Sequence, residues 1–139
     1  MIPGKTISTD LARQLRSFGL DWKPRSGDSV VIDRDGFEGD VFTVSDMTIE
    51  PHEFDTGTIL GFNGTTEWAL DSIALEAALW MPREDQLREL LGSTFRALVH
   101  DGTTFGVEIE TSSGPARFEA EGAADAYAAA LAELLVLRV

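Results

Sequence analysis

This chain has no cysteine, only two histidines, one tyrosine, one asparagine and two lysines. Without cysteine, disulfides, thiolate metal sites and cysteine nucleophiles are excluded. No apolar run approaches the roughly twenty residues that cross a bilayer. The longest near-apolar stretch, residues 126–137, is interrupted by Glu133. The first ten residues hold no apolar run of the kind that marks a secretory signal. A P-loop, a G-x-S-x-G elbow, an H-E-x-x-H helix and a C-x-x-C pair are all missing. Gly57, Gly61 and Gly64 do not open a helix after a strand, as a dinucleotide fingerprint requires, and read as structural turns. No catalytic residues, no metal ligands and no cofactor are expected.

What the chain does have is acid. Against 11 Lys and Arg stand 24 Asp and Glu, a formal net charge of -13. The excess is even, with 12 acids and 6 bases in residues 1–70 and 12 acids and 5 bases in residues 71–139. Such a field repels phosphate backbones and anionic lipid, so neither direct nucleic-acid binding nor membrane-surface binding is expected. The hydrophobic share is 43% and the charged share 25%, the usage of a folded globular chain rather than a disordered one. At 139 residues the length fits one domain, 1–139, with a core large enough to need no staple. A soluble, cytoplasmic protein is expected. The nine arginines against two lysines and the abundant alanine are choices of GC-rich codons, expected of a high-GC bacterium or its phages.

Periodicity predicts a helix over 8–19, with Leu11, Leu15 and Phe18 on one face, Ser8 or Thr9 as cap and Gly19 as stop. Strands are expected at 29–33, 41–49 and 58–63, joined as an antiparallel meander by Asp- and Gly-rich turns. Residues 65–72 read as a capped helical turn, and 76–81 as a strand ending at Pro82. Pro82 should then open a helix over 83–91, with Leu87, Leu90 and Leu91 as its stripe and Gly92 as its end. Strands at 95–100 and 103–111 flank an Asp101-Gly102 hairpin turn, and a third follows at 116–120. The closing helix, 123–138, should bury Tyr127, Leu131, Leu134 and Leu135. Three helices and about six to seven short antiparallel strands in a single domain make an α+β fold.

Candidate sites are few. His52 with Glu53 and Asp55 is the one grouping from which a general base or metal site can be drawn. Pro51 and Gly57, however, bracket it as a loop, where a polar cluster needs no special explanation. His100 precedes the Asp101-Gly102 turn and should be exposed. Asp33, Asp35, Glu38 and Asp40 lack the spacing of an EF-hand and read as a solvated hairpin connection. The most individual stretch is 62–72. It gathers Asn63, Thr65, Thr66, Glu67, Trp68 and Asp71 between apolar elements. As a turn, it would use Trp68 as an anchor to the core. As a recognition loop, it would use the same tryptophan as a binding hot spot. Trp22 and Trp80 read as core, with Trp80 placed to staple against the second helix.

That stretch, its continuation Trp80-Met81-Pro82-Arg83-Glu84-Asp85-Gln86-Leu87-Arg88-Glu89-Leu90-Leu91, and Val44-Ser45-Asp46-Met47-Thr48 together resemble a family of small uncharacterised actinobacterial proteins, often labelled pilus assembly proteins. The resemblance runs from the first helix to the last. It implies no ATPase activity here, because the chain has no phosphate-binding glycine loop. The C-terminal half is also similar to small phage-encoded proteins with a helix, a three-stranded meander and a closing helix. Neither resemblance brings catalytic residues.

Three functional readings follow. The leading one is a non-enzymatic protein-binding module using Asn63, Thr65, Thr66, Glu67, Trp68 and Asp71. The second is an acidic nucleic-acid mimic or anti-defence decoy. The third is an enzyme with an unfamiliar site near His52. Exposed strand edges would also admit a homodimer.

Overall fold

Alanine decides how the C-terminal helix is used. The computed structural model describes residues 6–32, 41–44, 49–54, 57–62, 72–74 and 77–137. Among these residues three α-helices, α1 (Thr9–Ser17), α2 (Glu84–Leu91) and α3 (Ala123–Leu137), accompany nine strands. These are β1 (Ser29–Ile32), β2 (Val41–Thr43), β3 (Ile49–Phe54), β4 (Gly57–Phe62), β5 (Ser72–Ala74), β6 (Ala78–Trp80), β7 (Phe95–His100), β8 (Phe105–Thr111) and β9 (Gly114–Ala120). Every strand pairing is antiparallel, and the protein has the expected α+β class. The strands form three sheets of three, ordered β2-β1-β6, β3-β4-β5 and β7-β8-β9. They outnumber the expected six to seven because the region 41–80 breaks into five short pieces. The chain contacts divide into two units, Met1–Asp21 with Met81–Val139, and Trp22–Trp80.

In the first unit α3 packs against β8, β9, α1 and α2. Ala124 and Ala126 are both fully buried, although two residues along a helix is a rotation of about 200°. Ala128, Ala130, Leu131, Ala132 and Leu135 are buried too. The expected single stripe through Tyr127, Leu131, Leu134 and Leu135 is therefore too narrow, and Leu134 is only half-buried. An apolar face this wide is covered from several directions, and alanine lets those neighbours approach closely, while Glu133, Val136 and Leu137 stay exposed.

The flanking helices show what periodicity resolves and what it does not. In α1, Ser8 caps the start, its Oγ accepting from the Leu11 N–H at 3.3 Å. Gly19, at φ 101°, ends it. The Gly19 N–H donates to the Arg16 carbonyl and the Leu20 N–H to the Leu15 carbonyl, the paired bonds of a Schellman stop. The buried positions are Ala12 and Leu15, while Phe18 is exposed, so the expected Leu11–Leu15–Phe18 face is rotated toward the alanine. In α2, Leu87 and Leu91 are buried but Leu90 is 42% exposed. A helix of two turns buries one i, i+4 pair, and Leu90 falls beside it. Pro82 precedes the N-cap residue, Arg83, instead of occupying the first helical position. The Arg83 N–H donates to Gln86 Oε1 at 2.9 Å, the reciprocal half of a capping box. Asp125, in the first turn of α3, accepts from the Ser8 N–H at 2.7 Å and so ties the start of α1 to α3.

The second unit gathers Val30, Ile32, Val44 and Ala78 into a core, with Trp22, Phe42 and Ala77 packed against it. Trp22, expected in the core, is half-buried and packs against it. Its Nε1 donates to Asp28 Oδ2 at 2.8 Å, and the Arg25 N–H donates to the same oxygen at 3.0 Å. Asp28 is 2% exposed, and these bonds are what let a carboxylate lie there. β1 lies between β2 and β6, with Val30 opposite both Phe42 and Trp80. The expected continuous meander over 29–63 is therefore two sheets, and β1 takes its second neighbour from some fifty residues away. No local signal specifies such a partner.

Two outcomes follow for the first unit. Ala126→Leu should cost about 1–3 kcal/mol by overpacking, read as a lower urea midpoint, whereas Glu133→Leu on the exposed side should change stability by less than about 0.5 kcal/mol. Burial pushes the Tyr127 phenol up, offset in part by the Arg88 guanidinium and reinforced by Glu84. Its neutral form is the one folding favours, so stability should hold up to about pH 10 and fall above it. Because Tyr127 is the only tyrosine, alkaline absorbance titration reads it alone, and Tyr127→Phe should flatten the alkaline fall.

Candidate binding surfaces

The polar segment singled out in the sequence, Asn63, Thr65, Thr66, Glu67, Trp68 and Asp71, lies outside the described residues, and with it the helical turn expected at 65–72 except for Ser72, which opens strand β5. Its flanks are described. β4 and β5 pair antiparallel, with Gly61 opposite Ser72 and Leu60 opposite Ile73. Residues 63–71 therefore join two neighbouring strands, a connection for which about two to five residues suffice. The acidic segment with Asp33, Asp35, Glu38 and Asp40 is also outside the described residues. It joins β1 to β2, which pair antiparallel up to Val31 opposite Val41.

His52 and Glu53 are not in a loop. They belong to β3, opposite Ile59 and Thr58 of β4. Pro51 did not break the strand because β3 is an edge strand of its sheet, where a missing N–H costs no second ladder. Asp55 lies outside the described residues. His100 closes β7 and is exposed, as expected, with its ring stacked on Phe105 at a centroid distance of 4.3 Å. The neighbouring Asp101 is engaged elsewhere. Its Oδ1 accepts from the Thr103 N–H at 2.9 Å, the Thr104 N–H at 2.8 Å and the Thr103 hydroxyl at 2.9 Å. The backbone N–H groups of Thr104 and Thr103 hold this carboxyl far below the usual aspartate range. They also lengthen the turn, so β8 begins at Phe105 instead of the expected Thr103.

The described surface with the most organised chemistry is the solvent face of the β7-β8-β9 sheet. Alternation turns Val107 and Ile109 inward, both buried, and leaves Glu108 and Glu110 on the other face. Glu108 lies opposite Arg117, and Gly106 opposite Glu119. Arg117 bonds Glu108 at 3.1 Å and Glu119 at 2.9 Å. Its guanidinium lies over Gly106, where a Cβ would come within 2.6 Å of Nε. Beside it Arg96 Nη1 donates to the carbonyls of Ser93 and Phe95, at the bulge between Phe95 and Ala97. A shallow hollow of about 310 Å³ lies among Arg96, Glu108, Pro115 and Arg117. A second, about 500 Å³, runs along α2 past Arg88 and Glu89 to Phe95. There Arg88 stands 4.6 Å above the Phe95 ring, which meets Tyr127 at 5.8 Å on its other contact.

Sequence reasoning missed the Glu108–Arg117–Glu119 cluster, although the signal was present. The turn at 112–113 sets Thr111 opposite Gly114, and counting back three pairs brings Glu108 to Arg117. Among the described residues no three His, Asp or Glu side chains gather as a metal site. No described helix is long and apolar enough to cross a membrane. Comparisons with protein-family models, curated proteins and solved structures found no match.

Gly106→Ala should displace the Arg117 guanidinium while the protein stays folded. The change should be below about 1 kcal/mol, because exposed ion pairs contribute little, and the Arg117 Nε–H signal should shift in NMR spectra. Asp101→Ala should lower the melting temperature at pH 7. A depressed carboxyl stabilises the fold above its ordinary value of 3.8 and loses that effect as the pH falls toward the folded-state value. The gap in melting temperature to wild type should therefore persist down to about pH 4 and narrow below it.

Proposed function

We propose that this protein is a small, non-enzymatic, cytoplasmic module that binds another protein. The binding residues proposed are Asn63, Thr65, Thr66, Glu67, Trp68 and Asp71. The observation that carries this reading is the pairing of β4 with β5. Two adjacent strands are joined by a connection far longer than the turn requires, and that connection holds a tryptophan, two acids and the only asparagine of the chain. Surplus loop length on a sheet is where recognition residues are carried, and tryptophan is enriched at hot spots. The resemblance to small actinobacterial proteins includes this same stretch and supplies no competing activity.

Neither alternative gains equal support. A nucleic-acid mimic needs carboxylates gathered on one face. In the first unit the described acids fall on α1, α2, β8, β9 and α3 and, as Asp21, Asp101 and Glu121, in the connections between elements, and several are paired with arginine. An enzyme built around His52 needs convergent polar groups, and the described part of that region offers a paired strand.

The test is affinity capture from native-host lysate with wild type, Trp68→Ala and Glu67→Ala as baits, each checked for native circular dichroism. Any captured protein is then purified and titrated against the three. A partner that binds wild type and loses at least tenfold in affinity with Trp68→Ala supports the proposal. A purified partner indifferent to both substitutions, or no stoichiometric partner for any bait, overturns it.

A further inference from the structure

We draw no further inference here: the strongest candidate, the solvent face of the β7-β8-β9 sheet with its shallow hollow between Arg96, Glu108, Pro115 and Arg117, carries nothing because no feature of the structure shows what covers it.

Discussion

The first unit depends on one helix, α3, that is buried on more than one side. α3 is buried at Ala124 and Ala128 and again at Ala126 and Ala130, so its neighbours must close on it from several directions. Small side chains make that geometry possible, because close packing leaves no room for a larger residue without displacement. The sheet of β8 and β9 and the helices α1 and α2 all use α3 as their common surface. Asp125 adds a directional tie to this apolar packing, holding the N–H of Ser8 just where α1 begins. The aromatic contacts add another, from Arg88 on α2 through Phe95 on β7 to Tyr127 on α3.

The acidity of the chain looks different once individual carboxylates are placed. Asp28 is enclosed and satisfied by the Trp22 indole and the Arg25 amide. Asp101 organises a turn by accepting from two consecutive amides. Glu108 and Glu119 hold one arginine between them over a glycine. These acids serve local architecture through hydrogen bonds to defined donors. Composition reports the charge of such groups but not the donors they face, and the donors decide their role.

Much of the candidate chemistry was legible, though unevenly. The exposure of His100, the packing of Trp22 against a core and the stop residues Gly19 and Gly92 follow from local rules and hold in the fold. His52 lies in a strand although Pro51 precedes it, because proline excludes a strand only where that strand has a partner on both sides, and among the described residues β3 has one. Leu90 and Phe18 fall on apolar stripes yet are exposed, because a periodic pattern counts apolar residues without knowing where the neighbouring element ends. The Arg117 cluster was overlooked although register made it countable, since alternation identifies a face but not what lies opposite.

The sequence by itself determined the α+β class, the positions of the three helices, the closing three-stranded meander and the absence of cysteine chemistry. These depend on short-range terms: side-chain period, caps, and glycines with positive φ at turns. Only the tertiary structure decided that β6 returns to pair with β1, that the strands sort into three sheets, and that α3 is enclosed on more than one side. Those outcomes are set by long-range burial and by which surfaces pack best. A pattern along one chain records that a residue is apolar. It does not record which distant residue will cover it.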